Sequence, residues 1–183
     1  MKKKLKTKNK KRQGRRAWRL KKYHFVGPPS RPLRSGSKVY WFSWMNRDLS
    51  QAQKTWTEAR QVCQRFCMDL ASIESEAEDH FLGRFMTRSR VYGLWTGGQI
   101  CQAPGCVNDG RAEWVWEPVA HFINREDRYV NWSGSGAKSV AQPDDFTMSE
   151  KCLAVLNNWY GDGISWHDFT CEDPLPFVCE KVL

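Results

Sequence analysis

Two segments of the chain carry apolar residues at the spacing of a helix. The first places five apolar side chains on one helical face: Trp56, Ala59, Val62, Cys63 and Phe66. The second segment begins at Ser75, and Glu78 three residues later predicts a capping box. Its buried face consists of Phe81, Leu82 and Phe85. The pattern therefore predicts two amphipathic helices in the first half of the chain.

Short runs of aromatic and β-branched residues predict strands. The runs are residues 39–44, 68–73, 91–98, 114–116, 152–156 and 177–180. A long loop rich in Gly, Ser and Asp begins near residue 129 and ends near Glu150. Because two helices come first and most strands follow, the order predicts an α+β fold.

Charge is divided unevenly along the chain. Residues 1–38 hold sixteen of the 29 Lys and Arg residues and no Asp or Glu, so residues 39–183 hold thirteen basic and all 20 acidic residues. Residues 23–38 are rich in Pro and Gly, which indicates a linker. We predict a disordered basic tail and linker in 1–38 and a folded domain in 39–183. The tail is expected to attract polyanions, namely heparan sulfate, nucleic acid or anionic lipid.

The N-terminal residues do not have the pattern of a signal peptide, because residues 1–22 are a Lys and Arg run with few apolar residues. An internal fragment, a wrongly assigned first exon and a basic pro-region all fit this start. No stretch approaches the roughly 18 apolar residues of a membrane span, so we predict no membrane span.

Seven cysteines lie between residues 63 and 179. Their number and dispersion favour an oxidising, extracellular compartment and disulfide bonds. The alternative is zinc, with Cys63 and Cys67 or Cys101 and Cys106 as half-sites. The second pair and the matching histidines that zinc sites use are missing.

A series of short motifs resembles the C-type lectin-like domain family across residues 39–182. The motifs are Trp56-x2-Ala59-Arg60-x2-Cys63, Leu70-Ala71-Ser72-Ile73, Leu94-Trp95-Thr96-Gly97-Gly98, Trp114-Val115-Trp116, Asn131-Trp132, Gln142-Pro143-Asp144, Cys152, Trp166-His167-Asp168-x2-Cys171 and Phe177-Val178-Cys179-Glu180. Cys67-Met68-Asp69-Leu70 and Asn158-Trp159-Tyr160 resemble an arthropod branch of that family. The resemblance implies two helices packed on short antiparallel sheets, with a long loop region clamped by a disulfide.

The resemblance also implies the pairing of the cysteines. Cys63 would join Cys179, and Cys152 would join Cys171 at the base of the long loop. Cys101 and Cys106 flank Pro104-Gly105 and are expected to form a third, local bridge. Cys67 is then left over, and pairing with an upstream cysteine, pairing with another chain and a free thiol all remain open.

Sugar-binding members of the family hold a calcium ion that the sugar also contacts. The matching metal ligands in this chain are Gln142, Asp144, Glu150 and Asp168. The Gln-Pro-Asp order, with a cis bond before Pro143, resembles galactose-type binders, and Phe146 is where such binders carry an aromatic residue that stacks on the sugar. The carbohydrate-binding residues implied are Gln142, Asp144, Phe146, Glu150, His167 and Asp168. Calcium accepts carboxylate, amide and hydroxyl oxygens, so this set suits it.

His167 departs from the family pattern, which has Asn at that position. Imidazole is a poor ligand for a hard cation, so one contact is lost or passes to water. We therefore consider two functions from different classes. The first is an extracellular, galactose-leaning carbohydrate-recognition domain that binds glycans or glycoproteins, in surface recognition or innate defence. The second is a calcium-independent protein-interaction module.

Catalysis is the least favoured class. Ser165, His167 and Asp168 do not make a triad, because neighbouring residues on an extended segment face opposite ways. His24, His80 and His121 are isolated in the sequence. Asn131 begins a glycosylation sequon, Asn131-Trp132-Ser133, but it also matches a structural position where a strand leads into the loop.

Overall fold

The computed structural model describes residues 32–46, 53–102, 106, 113–123 and 128–183. Residues 1–31, which contain most of the predicted basic tail, lie outside this part of the chain. The described helices are α1 (Trp56–Arg65) and α2 (Glu76–Ser89). The described strands are β1 (Leu33–Ser35), β2 (Lys38–Phe42), β3 (Asp69–Leu70), β4 (Gly93–Ile100), β5 (Trp114–Trp116), β6 (His121–Phe122), β7 (Glu150–Asn157), β8 (Ile164–Thr170) and β9 (Val178–Val182). The predicted α+β class is confirmed.

Both helices begin at a polar cap. Thr55 and Glu58 form a reciprocal capping box at the start of α1, which the sequence analysis did not identify. At α2, Ser75 Oγ accepts from the backbone N–H of Glu78 as predicted, at 3.3 Å. The Glu78 carboxylate, however, accepts from the N–H of Glu74 rather than that of Ser75. The predicted capping box is therefore half formed, because Glu78 also binds Lys38 and Tyr40.

One sheet joins the first and last strands of the domain, in the order β1-β2-β9-β3. Its strands are antiparallel, and Lys38 pairs with Val182 while Trp41 pairs with Cys179. The strand β1 corrects the sequence analysis, which placed residues 33–35 in an irregular linker. Gly36 has a φ of 57°, and this left-handed conformation closes a tight turn between β1 and β2. The division of the chain at residue 39 stays a prediction.

The second sheet, in the order β6-β5-β4-β7-β8, carries the long loop region. The strand β8 was not among the strands predicted from the sequence. Its residues Ser165, His167 and Asp168 are at most 4% exposed, so buried polar side chains replace the alternation by which a strand is recognised. The loop from Tyr129 to Ser149 runs along this strand, where Trp132 pairs with Trp166.

Six tryptophan side chains lie in the core. Buried indoles occur at Trp41, Trp56, Trp95, Trp114, Trp116 and Trp166. Trp166 packs edge-on against Trp116, Tyr129 and Trp132. Trp159 differs from these, with 60% of its surface exposed. Six of the ten tryptophans in the chain therefore belong to the core.

Three disulfide bonds are present in the described part of the chain. Cys63 on α1 is bonded to Cys179 on β9, with Cα atoms 5.4 Å apart. Cys152 is bonded to Cys171, and Cys101 to Cys106. Six of the seven thiols are therefore unavailable to zinc, while Cys67 is free and exposed. No described helix is long and apolar enough to cross a membrane.

Candidate functional site

The long loop is attached to β8 by backbone hydrogen bonds at its start. The N–H of Ser133 donates to the carbonyl of Trp166, and the N–H of Gln142 donates to the carbonyl of Ser133. Between them, residues 136–140 form a turn in which the Gly136 N–H donates to the Val140 carbonyl at 2.8 Å. These bonds place Gln142 and the residues after it beside the buried residues of β8.

Gly136 leaves room for the Gln142 side chain. A Cβ atom at Gly136 would lie 2.2 Å from Gln142 Nε2 and 3.0 Å from its Cδ. Any other residue there would have to displace the amide. The peptide bond from Gln142 to Pro143 is cis, as predicted. The Ser/Gly-rich segment thus fixes the position of the first of the expected calcium ligands.

Asp168 holds the residues that follow Pro143. Its Oδ1 accepts from the N–H of Asp144 at 3.2 Å, and its Oδ2 accepts from the N–H of Asp145 at 2.6 Å. Asp145 in turn accepts the N–H of Glu150 through Oδ1, at 2.8 Å. One carboxylate from β8 and one from the loop therefore fold the segment 144–150 into a tight turn.

This turn brings three acidic side chains together. Asp144, Glu150 and Asp168 each offer a carboxylate oxygen, and these oxygens lie within 4.8 Å of one another. Burial raises the pKa of Glu150, and the charge of Asp168 adds to this effect. Burial also raises the pKa of Asp168, although the N–H groups of Asp145 and Asp144 oppose the change. Crowded carboxylates of this kind fit a hard divalent cation, whose charge would compensate their repulsion.

All six residues that the sequence analysis assigned to the site line one small cavity of about 30 Å³. They are Gln142, Asp144, Phe146, Glu150, His167 and Asp168. Ala137, Tyr160 and Phe169 complete the lining. The structure therefore brings the predicted residues together, while the role of each in binding stays a prediction.

His167 is turned toward a partner that the sequence analysis missed. It is 1% exposed, and its Nε2 lies 2.9 Å from Asp162 Oδ2. Asp162 Oδ2 also accepts from the hydroxyls of Ser133 and Ser165. Burial would raise the pKa of Asp162, but these hydrogen bonds outweigh it and the pKa is lowered. Burial lowers the pKa of His167, so a neutral imidazole donates Nε2–H to an ionised Asp162.

The contact of Ser165 with His167 does not make a hydrolytic relay. Ser165 Oγ lies 3.3 Å from His167 Nε2, the same nitrogen that donates to Asp162. In a Ser-His-Asp triad the serine and the acid contact different ring nitrogens. Ser165 also donates to Asp162 directly. This cluster therefore ties the loop to β8, and Asp162 had no signal in the sequence beyond its place between Gly161 and Gly163.

The ring of Phe146 contacts a lysine side chain. It is 45% exposed, and Lys138 Nζ lies 4.2 Å from the ring centroid. A cation–π contact at an exposed site contributes about 0.5–1 kcal/mol. Lys138 was not among the predicted site residues, because nothing in the local pattern relates it to a residue eight positions away.

A second buried acid supports the loop from the other side. Asp79 on α2 is 4% exposed and accepts from Trp166 Nε1, Tyr129 Oη and Asn131 Nδ2. The Asn131 amide also donates to the carbonyl of Ile164. The sequon asparagine therefore has a structural role, joining α2 to the start of the long loop and to β8.

Comparison with known proteins assigns the chain to a family. Residues 52–181 match the family described as the Lectin C-type domain. This match covers well over half of the chain. The chain belongs to the C-type lectin domain family.

Several curated proteins resemble the chain. C-type lectin domain family 10 member A from Rattus norvegicus is 26% identical over 157 residues, covering 79% of this chain and 38% of that protein. C-type mannose receptor 2 from Mus musculus is 24% identical over 130 residues, covering 69% of the chain and only 7% of the receptor. The chain thus spans less than half of the length of either of these two relatives. The C-type lectin BML-1 from Bungarus multicinctus is 27% identical, with 69% of the chain and 70% of that protein covered.

Solved structures share the fold. The carbohydrate-recognition domain of mouse scavenger receptor C-type lectin has a TM-score of 0.61 at 21% identity, covering 85% of this chain and 98% of that one. A calcium-independent type II antifreeze protein has a TM-score of 0.56 at 19% identity, covering 87% and 97%. The fold is therefore common to proteins whose names indicate different uses.

Proposed function

We propose that the domain binds carbohydrate through a calcium ion, prefers galactose-type sugars and catalyses no reaction. The observation that carries this proposal is the cluster of Asp144, Glu150 and Asp168 beside Gln142. Four protein ligands leave two to four positions of a calcium shell of six to eight oxygens. Two neighbouring hydroxyls of a sugar fit such positions.

Two further features support this ligand class. The order Gln142, Pro143, Asp144 matches the galactose-type pattern. Phe146 is exposed on the rim of the same cavity, where an aromatic face can pack against a sugar ring. The relatives named above include proteins called lectins, and one is described by its carbohydrate-recognition domain. The expected partners are glycans or glycoproteins outside the cell, in an arthropod-type recognition or defence role.

A calcium titration measured by calorimetry tests the metal site. The wild-type chain should give saturable heat, and galactose added afterwards should give a second, calcium-dependent heat. Glu150→Gln should weaken calcium binding by about tenfold or more, since even changes around the ligands have that effect. Glu172→Gln, an exposed acid outside the cavity, is the matched control. No saturable calcium binding by the wild type would contradict the proposal.

A calcium-independent protein-interaction domain is the second candidate. The observation favouring it is the hydrogen bond from His167 to Asp162. The family pattern has a metal ligand at position 167, and here that side chain has a structural partner instead. Binding of an extracellular protein partner that persists in excess chelator would support this candidate. Galactose binding abolished by the same chelator would contradict it.

The basic tail is proposed to contact polyanions independently of the domain. Its sixteen basic residues should give binding to heparin that falls steeply with salt. Deletion of residues 1–31 should remove most of that binding while leaving β1 and Lys38 in the sheet. Undiminished heparin binding by residues 32–183 would contradict this part of the proposal.

A further inference from the structure

The contact between Lys138 and Phe146 bears on which sugar the site accepts. Phe146 lines the cavity with the carboxylates, and Lys138 Nζ lies 4.2 Å from the centre of its ring. A sugar that stacked on this ring would therefore meet an ammonium group. The sugar must either displace the ammonium or interact with it.

The backbone holds Lys138 near the cavity. Lys138 lies in the turn closed by the Gly136 N–H on the Val140 carbonyl, and the Ser139 N–H donates to the Gly136 carbonyl at 3.0 Å. The same turn is packed against the Gln142 amide through Gly136. The position of Lys138 is thus coupled to a predicted calcium ligand rather than to an independent loop.

Lys138 has no carboxylate partner among the residues that the structure describes. It is exposed, and its Nζ contacts the Phe146 ring. The carboxylates of Asp144, Glu150 and Asp168 instead lie close to one another, around the candidate calcium position. With a divalent ion bound, three carboxylates and the ion leave a net charge of about −1, which the free ammonium offsets locally. An anion can therefore approach the Phe146 edge of the site.

We propose that the site selects an acidic galactose-type sugar, whose anionic group pairs with Lys138 while its hydroxyls bind the calcium ion. This inference rests on the proposed function above. The shared chemistry is a negative charge on the sugar, from either a sulfate ester or a uronic carboxylate. A neutral sugar displaces the ammonium from the ring and offers it no opposite charge, whereas an acidic sugar provides one.

The test compares galactose, galactose sulfate and galacturonic acid by calorimetry on the full chain with saturating calcium. The wild type should bind at least one acidic sugar more tightly than galactose by a factor of about 2 to 5, the range expected for one exposed ion pair. That preference should shrink as sodium chloride increases. The two acidic sugars separate the sulfate from the carboxylate as the source of the charge.

Three variants assign the effect. Lys138→Gln should remove the preference and bind galactose more tightly, because the ring face is freed. Lys138→Arg should keep the preference. Lys181→Gln removes one exposed charge from β9, away from the cavity, and should behave as the wild type. Each variant should stay within about 4 °C of the wild-type melting temperature, because the side chain that it changes is exposed.

The outcomes separate this inference from the proposed function. Calcium-dependent binding of galactose with no preference for acidic sugars would overturn the inference and leave the proposed function standing. A preference that survives Lys138→Gln would also overturn it. Binding of acidic sugars that persists in excess chelator would assign the effect to the tail and overturn it as well. Absence of calcium-dependent binding of any of the three sugars would overturn both proposals.

Discussion

Asp168 Oδ2 lies 2.6 Å from the backbone nitrogen of Asp145, so a side chain of β8 orders the turn that carries the candidate ligands. Asp168→Ala should remove this acceptor together with the one that serves Asp144. Amide exchange in the segment 144–150 should then become at least about tenfold faster, since each of the two lost hydrogen bonds contributes on the order of 1 kcal/mol. Hydrogen exchange with mass spectrometry measures this. Asp173→Ala is the control, and equal exchange in both variants would contradict the assigned role.

Gly136 offers a test of the Gln142 position. Gly136→Ala places a Cβ atom where the Gln142 amide now lies, 2.2 Å from Nε2. The amide must move, so calcium affinity should fall while the melting temperature changes little in calcium-free buffer. Gly134→Ala is a matched control in the same segment, because a Cβ atom there meets nothing within 4 Å. Equal calcium affinities for the two variants would show that Gln142 is not a ligand.

His167 allows a gain of function to be predicted. His167→Asn introduces an amide oxygen, which a hard cation prefers to imidazole nitrogen. Calcium affinity should rise, provided that the amide nitrogen keeps the hydrogen bond to Asp162 that His167 now donates. Calorimetry with the single variant measures this change. Unchanged or weaker calcium binding would mean that residue 167 does not face the ion.

Glu180 should make the stability of the domain depend on pH. It is 5% exposed, and burial raises its pKa from 4.5 to about 7, against the opposing attraction of Lys38. Because the folded pKa is raised, the stability due to the protonated acid is complete below about pH 4.5 and is lost as pH rises through 7. The loss from this group is on the order of 3 kcal/mol. Urea unfolding of the wild type and Glu180→Gln between pH 5 and 8 should show a flatter dependence in the variant. Parallel curves would contradict the prediction.

The sequon at Asn131 should remain unmodified in cells that glycosylate secreted proteins. Both hydrogens of its amide are used, one on Asp79 Oδ2 at 2.7 Å and one on the Ile164 carbonyl at 3.0 Å. A glycan would require the amide to leave both partners. Intact-mass measurement before and after a glycosidase checks this. Glycan on most of the folded molecules would contradict the structural role of Asn131.

Much of the site was predictable because its residues follow one another closely. Gln142 and Asp144 lie in one loop, Glu150 begins β7 directly after it, and a family resemblance implies that Asp168 is opposite them. The helix faces were predictable for a similar reason, since apolar residues at a spacing of three and four identify the buried side of α1 and α2.

The polar residues that support the site were not predictable. Asp162 reaches His167 because it lies in the turn that joins β7 to β8, where Gly163 has a φ of 79°. Asp79 has the sequence surroundings of an exposed helical acid, yet three donors from distant segments converge on it. Such contacts depend on how the sheet and helix pack, and residue type alone does not reveal them.

The bond between Cys63 and Cys179 gives the domain a defined mechanical behaviour. Suppose that tension is applied between β2 at Lys38 and β9 at Val182. These two residues separate first, because they face each other at one end of an antiparallel pair. As β2 peels away from β9, the chain can extend only as far as the disulfide bond. This bond joins residues 116 positions apart. The whole loop region lies inside that span. Tension along the chain is therefore carried by the disulfide bond, and residues 142–168 are not stretched.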